Sequence, residues 1–173
     1  DLPELGRGWK LRMVRLGNGK VGDFFVSNES RAMLLLSQQG RLDFRVVPLQ
    51  VIRGSQVAPG DFNDDGRTDL VIGSRFVSGY SIACRREDGT FQVRGTTAPT
   101  QVYMDIELAD VNSDKREDLI PSCGDVFLRQ PDGSLAETPA FHLIPPSGEP
   151  KGWAFMAAAD FDQDGRTDVA LLA

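Results

Sequence analysis

The stretch Asp61-Phe-Asn-Asp-Asp-Gly-Arg-Thr-Asp69 organises the whole chain, because it occurs three times. It returns as Asp110-Val-Asn-Ser-Asp-Lys-Arg-Glu-Asp118 and as Asp160-Phe-Asp-Gln-Asp-Gly-Arg-Thr-Asp168, and we number these segments loops 1, 2 and 3. Their starts lie 49 and 50 residues apart (110 − 61 and 160 − 110), which indicates one structural unit repeated along the chain. Oxygen-bearing side chains recur at positions 1, 3, 5 and 9, a ligand set that suits a hard cation such as calcium.

The segments around the loops are predicted to form β-strands. The pattern is clearest in 101–109, where Val102, Met104, Ile106 and Leu108 alternate with other residues as in a half-buried strand. Strands are expected to enter the loops at 55–60, 101–109 and 152–159, and to leave them at 69–72, 118–120 and 168–172. Third and fourth strands are expected at 80–84 and 90–94, and at 125–128 and 134–137. Asp88-Gly89 and Asp132-Gly133 predict the hairpin turns between them, since Gly supplies positive φ.

Residues 10–52 fit the same frame as a degenerate copy. The segment from Arg15 to Asp23 takes the place of a loop, but Arg15, Gly17 and Gly19 stand where oxygen ligands are needed. Only Asp23, at position 9, retains a ligand-type side chain. We therefore expect a unit of strands without a cation site.

Four strands per unit at this period predict an all-β fold, a β-propeller of four-stranded blades. We expect one repeat domain over 1–173, with a degenerate blade at 10–52, blades with loops at 53–98 and 99–140, and the first half of a blade at 152–173. The Pro-rich stretch 138–152 is predicted to be a loop insertion. Propellers close with 4–8 blades, so about three and a half blades form a partial ring. Its exposed blade edges would meet the rest of the propeller or another copy.

The charge of the chain favours metal over other partners. A formal net charge of −6 argues against nucleic-acid binding, and three divalent cations would bring that total to zero (−6 + 6). No apolar run approaches the roughly 20 residues that span a bilayer, so no membrane insertion is expected. Cys84 and Cys123 leave two alternatives open, a disulfide in an exported protein or thiols that pack as small hydrophobes.

Loop 1 and the residues after it carry a family resemblance. Asp-Phe-Asn-x-Asp-Gly-Arg-Thr-Asp-Leu-Val, followed later by a Gly-x-Phe hairpin, resembles the FG-GAP/VCBS repeats of integrin-α-type propellers. Loop 3 is similar to it as well, whereas Lys115 replaces the expected Gly in loop 2.

The resemblance implies up to three structural calcium ions. Side-chain oxygens at positions 1, 3, 5 and 9 and the backbone carbonyl at position 7 would hold each ion. The implied ligands are Asp61, Asn63, Asp65, Arg67 and Asp69; Asp110, Asn112, Asp114, Arg116 and Asp118; and Asp160, Asp162, Asp164, Arg166 and Asp168. Loop 2 is expected to bind most weakly, because it has one acidic ligand fewer than loop 3 and because a left-handed Lys115 costs on the order of 1 kcal/mol.

Two other interpretations of the loops compete with this one. An EF-hand needs Glu at position 12 and flanking helices, but position 12 is Ile72, Pro121 or Leu171 and the flanks are predicted strands. Asp and Asn side chains also cap turns on their own backbone without any ion, and that alternative stays open, most of all for loop 2.

The expected function is recognition or adhesion by a non-catalytic, calcium-stabilised module with an unknown protein or glycan ligand. No Ser-His or Cys-His motif stands out, and His142, the only histidine, lies in the Pro-rich stretch. Extracellular modules bind calcium at roughly 10⁻⁴–10⁻³ M, so an exported protein is expected, whether extracellular, cell-surface or periplasmic. The alternative is an accessory or carbohydrate-binding propeller of a polysaccharide-active enzyme, with Trp9, Tyr80, Tyr103 and Trp153 stacking on sugars instead of forming core.

Overall fold

The computed structural model describes residues 9–16, 22–28, 31–38, 41–51, 56–73, 79–96, 105–143 and 155–172. All regular structure in these ranges is β, and all the strand pairs are antiparallel, so the expected all-β class is confirmed. Within the same ranges there is no helix that is long and apolar enough to cross a membrane. Some predictions fall on residues outside the described ranges, namely Gly17, Gly19, Val102, Tyr103, Met104 and Trp153.

Two four-stranded sheets each form from one continuous stretch of chain. Unit 1 contains β1 (Lys10–Val14), β2 (Asp23–Ser27), β3 (Ala32–Gln38) and β4 (Arg41–Leu49), paired in chain order. Unit 2 repeats that order with β5 (Gln56–Gly60), β6 (Asp69–Gly73), β7 (Tyr80–Arg85) and β8 (Phe91–Thr96). Loop 1 joins the first two strands of unit 2, because Gly60 lies opposite Asp69 in the register.

The remaining strands form two further units. Unit 3 contains β9 (Ile106–Ala109), β10 (Asp118–Pro121), β11 (Asp125–Val126) and β12 (Phe141–His142). An isolated bridge between Leu119 and Phe127 connects its two strand pairs. Unit 4 consists of β13 (Phe155–Ala159) and β14 (Asp168–Leu172). Loops 2 and 3 again join the first strand of a unit to its second.

The fourth strand of unit 3 does not lie at its predicted position, 134–137. Leu135 makes only an isolated bridge to Arg129, and pairing resumes at β12, where Phe141 lies opposite Val126. Residues 137–139 bulge out between two backbone hydrogen bonds, from Ala136 N to Leu128 O (2.9 Å) and from Ala140 N to Val126 O (2.8 Å). The bulge contains Pro139, which has no N–H to donate to the partner strand. His142 therefore lies on a strand and not in a loop insertion.

The two predicted hairpin turns are confirmed. Gly89 and Gly133 have φ values of 75° and 80°, in the left-handed region that Gly enters at little cost. Each turn is closed by a backbone bond two residues either side of its centre, from Arg86 N to Thr90 O (2.8 Å) and from Gln130 N to Ser134 O (2.7 Å).

Consecutive units pack face to face. Alternate residues of one strand therefore pack against the units on opposite sides of its sheet. In β6, Leu70 and Ile72 contribute to the core shared with unit 1, whereas Val71 contributes to the core shared with unit 3. Ile120 of β10 and Met156 of β13 meet in the core between units 3 and 4. Because both faces of β6 are covered, its sequence is a continuous apolar run and not an alternating one.

Candidate metal centre

Loops 1, 2 and 3 fold onto themselves through the same four hydrogen bonds. In loop 1 the Asp61 carboxylate accepts from the backbone N–H groups of Asp65 (Oδ1, 3.1 Å) and Gly66 (Oδ2, 2.8 Å). Asn63 Oδ1 also accepts from Asp65 N (3.2 Å), and Asp65 Oδ1 accepts from Arg67 N (2.9 Å). The equivalent bonds join residues 110, 112, 114, 115 and 116 in loop 2 and residues 160, 162, 164, 165 and 166 in loop 3. In each loop the side chains at positions 1, 3 and 5 therefore fold back onto the backbone of the loop itself.

Each loop turns through two residues with positive φ. Position 6 is Gly66 (77°), Lys115 (69°) or Gly165 (85°), so Lys115 does adopt the left-handed conformation expected of it. Position 4 is left-handed as well, which the loop sequences did not predict. The residues there are Asp64 (58°), Ser113 (63°) and Gln163 (64°). Of these only Asp64 belongs to a residue type enriched in this region, so the sequence holds little signal for it.

The last Asp of each loop ties the loop to its own sheet, and we call this pair of bonds the clasp. Asp69 Oδ2 accepts from Phe62 N (3.1 Å), at position 2 of the loop. Asp69 Oδ1 accepts from Arg85 N (2.7 Å), at the end of β7. Loop 2 has the same clasp, in which Asp118 accepts from Val111 N (3.1 Å) and from Arg129 N (2.8 Å). In loop 3 the first of the two bonds is present, from Phe161 N to Asp168 (2.9 Å).

The degenerate copy in unit 1 keeps the clasp. Asp23 Oδ2 accepts from Leu16 N (3.2 Å) and its Oδ1 accepts from Ser37 N (2.8 Å), near the end of β3. Arg15, at position 1 of this segment, is an exposed cation in place of the carboxylate of the other loops. The position-9 Asp therefore has a structural role that does not depend on the other ligand positions.

The carboxylates at positions 5 and 9 have opposite pKa shifts. Burial raises the pKa of Asp69 above its ordinary value, although its two N–H donors act in the other direction. Loss of hydration also acts to raise the pKa of Asp65, but the N–H of Arg67, the Asn63 side chain and the Arg67 charge hold it below its ordinary value. Asp118 and Asp114 repeat these two shifts in loop 2.

The side chain of the arginine at position 7 also contacts the loop, although the sequence predicted a role only for its backbone carbonyl. The Arg67 Nη2 lies 2.6 Å from Asp65 Oδ2, and its Nε donates to Arg85 O (3.2 Å) at the end of β7. Arg116 makes the equivalent contacts to Asp114 (2.6 Å) and Arg129 O (3.4 Å). The guanidinium group thus links the position-5 carboxylate to the third strand of the same unit.

In loop 3 three of the predicted ligands have a spacing that fits a hard divalent cation. Carboxylate oxygens of Asp160, Asp162 and Asp168 lie within 4.8 Å of one another. Calcium takes six to eight oxygens at 2.3–2.6 Å, so oxygens at this spacing can share one ion. In loops 1 and 2 the position-3 oxygen comes from Asn63 or Asn112. Each accepts from the N–H at position 5, as Asp162 does in loop 3. Asp164, the predicted ligand at position 5 of loop 3, does not belong to the group of three there, and among the described residues the carboxylates of loops 1 and 2 form no group of three at this spacing.

A second polar group lies in unit 3, away from the loops. His142 Nδ1 lies 2.8 Å from Asp125 Oδ1, and the Cys123 thiol donates to Asp125 Oδ2 (3.6 Å). Burial raises the pKa of Cys123 to about 11, which is the wrong direction for a nucleophile. Cys84 and Cys123 are both free thiols. This group therefore does not have the properties of a catalytic thiol site.

Comparison with protein families gives one match, and it covers the first two loops. Residues 61–120 match the family described as FG-GAP-like repeat. The match begins at the first residue of loop 1 and ends in β10, so it spans one full period of the chain. The resemblance to the FG-GAP type of repeat is thereby confirmed over this stretch. A comparison of the whole chain with curated proteins finds no match.

Proposed function

We propose that this chain, whose residues 61–120 carry an FG-GAP-like repeat, is part of a calcium-stabilised β-propeller that acts in recognition or adhesion outside the cytoplasm. In this proposal units 1 to 4 are blades, and the three loops each hold one structural calcium ion. The ligands are the side chains at positions 1, 3, 5 and 9 and the carbonyl at position 7. The module itself is non-catalytic, and its ligand is a protein or a glycan.

The observation that carries the proposal is the threefold repetition of one loop geometry. The same four hydrogen bonds and the same two left-handed residues occur in loops of different sequence, Lys115 included. Asp61, Asp110 and Asp160 each accept two N–H groups and still have lone pairs free for a cation. An ion bound there joins the first two strands of a unit, so its binding free energy adds to folding stability.

Self-capped turns would show much of the same bonding, because Asp and Asn cap turns by accepting nearby N–H groups. Thermal unfolding in calcium, in EGTA and in magnesium separates the two cases. Calcium at ten times its Kd should stabilise each occupied loop by about 1.4 kcal/mol, or raise the melting temperature by about 3 to 6 °C. Asp61→Ala and Asp160→Ala should each remove part of that rise.

The matched control is Glu87→Ala, which removes an exposed carboxylate in a turn outside the loops. It should leave the calcium-dependent rise intact. Equal melting temperatures in calcium and EGTA would contradict the proposal and identify the loops as self-capped turns. An equal response to magnesium would contradict calcium as the specific ion.

The partners we propose meet the chain at its two outer sheet faces. Phe161, at position 2 of loop 3, is exposed, and so are Leu11 and Met13 on β1. The equivalent residues of loops 1 and 2 pack under the following unit. We assign these outer faces to further blades, from the rest of a propeller or from another copy.

The carbohydrate alternative is not favoured by any observation in the described part of the chain. Tyr80 belongs to the core between units 2 and 3, and Trp9 packs against the apolar cluster of Val26, Met33 and Leu35 in unit 1. The Tyr80 ring is buried and is not free to stack on a sugar, whereas Trp9 is partly buried.

A further inference from the structure

One buried arginine of unit 3 reaches back to loop 1 of unit 2. Arg129 is 2% exposed, and its Nη1 donates to the backbone carbonyl of Asp61 (2.6 Å). Its Nη2 lies 2.7 Å from Asp64 Oδ2, and its guanidinium carbon lies 5.3 Å from the centre of the Phe62 ring. Residues at positions 1, 2 and 4 of loop 1 therefore contact a single cation from the neighbouring unit.

A carboxylate of unit 3 faces the other backbone group of Asp61. Burial raises the pKa of Glu117, and the backbone N–H of Asp61, which faces this carboxylate, acts in the opposite direction. Gly60 makes this approach possible, because a Cβ there would overlap the Glu117 carboxylate. Asp61, the first proposed ligand of loop 1, thus has its C=O bonded to Arg129 and its N–H facing the Glu117 carboxylate.

Among the described loops, only loop 1 has the residues that place a glutamate carboxylate against its first residue. Position 8 is Glu117 in unit 3 but Thr68 and Thr167 in units 2 and 4, and a threonine side chain is shorter. The residue before the loop is Gly60 in unit 2 but Ala109 and Ala159 in units 3 and 4, where a Cβ occupies the space.

Burying these two charges is not explained by stability alone. Glu117 Oε2 and the Nε and Nη2 atoms of Arg129 are buried without a hydrogen bond among the described residues, since Nη2 is close to Asp64 Oδ2 but lacks hydrogen-bond geometry. Isolated buried polar atoms cost free energy, and the ion pair of Arg129 with the exposed Asp64 adds little to stability. The positions of Glu117 and Arg129 are better explained by their contacts with the backbone of loop 1.

We infer that Glu117 and Arg129 position the first metal loop, so that calcium binding by loop 1 and docking of unit 3 onto unit 2 strengthen each other. The inference rests on the proposed calcium function. A loop whose first residue is already held loses less conformational freedom when it binds an ion. By thermodynamic linkage, an ion bound in loop 1 stabilises the contact between the two units by the same amount.

The test measures calcium affinity by titration calorimetry in two matched backgrounds. The loop-1 background carries Asp110→Ala and Asp160→Ala, and the loop-3 background carries Asp61→Ala and Asp110→Ala. In the loop-1 background Arg129→Met or Glu117→Ala should weaken calcium binding about tenfold, the lower end of losses typical for residues that orient metal ligands. In the loop-3 background the same substitutions should leave the affinity unchanged.

Two conservative variants distinguish positioning from general damage. Arg129→Lys keeps the charge and Glu117→Gln keeps an acceptor for the Asp61 N–H, so each should recover part of the lost affinity. Unchanged binding by loop 1 in Arg129→Met would overturn the inference. Equal weakening in both backgrounds would overturn it as well, because it would show global destabilisation.

The failure of the underlying function gives a different result. If neither parent background binds calcium, the proposed function fails, and the inference fails with it. If only the loop-3 background binds calcium, the proposed function survives and the inference about loop 1 is overturned.

Discussion

At the scale of single residues, the position-9 Asp has a structural role besides its proposed role as a metal ligand, because it accepts hydrogen bonds from backbone N–H groups. Asp23 holds Leu16 N and Ser37 N in a copy that lacks the position-1 carboxylate, with the same geometry as the Asp69 clasp. The sequence marked Asp23 only as the remnant of a lost site. Its second bond joins residues 14 apart across two strands, and that distance cannot be read from a local motif.

The clasp predicts two different responses to calcium. Asp23→Ala should lower the free energy of unfolding by about 1–3 kcal/mol, because it leaves two backbone N–H groups without an acceptor. The loss should be equal in calcium and in EGTA. Asp69→Ala should lose more in calcium than in EGTA, because it removes a proposed ligand together with the clasp. Urea unfolding in both buffers measures this, with Asp43→Ala on the exposed side of β4 as control.

A loss in Asp23→Ala that depends on calcium would show that the degenerate copy still binds the ion. That outcome would contradict a purely structural clasp.

At the scale of elements, turn chemistry was predictable and strand continuity was not. Asp88-Gly89 and Asp132-Gly133 form the expected turns because their conformation depends on local residue types. Most strand bounds agree with the apolar runs within a few residues, as for β6 and β14. The fourth strand of unit 3 was misplaced because Pro139 interrupts it, and the bonds that resume it come from a strand 15 residues earlier (141 − 126).

The two turns predict a dependence of stability on pH. Asp88 accepts from the N–H and the hydroxyl of Thr90, and these bonds lower its pKa from the ordinary 3.8. Asp132 and Ser134 repeat the arrangement. A lowered folded-state pKa means that the stabilisation is present above the unfolded pKa and is lost as the pH falls through the folded one. Asp88→Ala should therefore destabilise at neutral pH, and this penalty should shrink below 3.8.

Chemical unfolding across the acid range measures this difference, with the neighbouring Glu87→Ala as control. A penalty that stays constant down to the lowest pH would mean that the charged carboxylate does not stabilise the turn.

At the scale of the whole molecule, the environment of a residue depends on which unit follows it. Phe62 and Phe161 occupy the same position in loops 1 and 3, yet Phe62 is 2% exposed and Phe161 is 56% exposed. Unit 3 covers Phe62 with Phe127, Leu135 and the Arg129 guanidinium. The sequence of the loops cannot distinguish the two, because the difference lies in the packing of the neighbouring unit.

This contrast predicts unequal costs for the same substitution. Phe62→Ala should destabilise the chain by about 3–5 kcal/mol, as expected for an aromatic residue removed from a packed core. Phe161→Ala should change stability by no more than about 0.5 kcal/mol, as is usual for exposed sites. Each variant is the control of the other, and urea unfolding of dilute protein measures both. A large loss in Phe161→Ala would show that another copy or segment covers this face in solution.

Units 1 and 2 are each built from an uninterrupted stretch of chain, and this has a consequence for biosynthesis. Residues 10–49 contain all four strands of unit 1, so every strand pair of its sheet lies within this stretch. At typical rates of protein synthesis these 40 residues (49 − 10 + 1) emerge in about 2 to 8 s. The strand pairs of unit 1 can therefore form before unit 2 is translated, and the apolar face of unit 1 is then covered as unit 2 folds onto it.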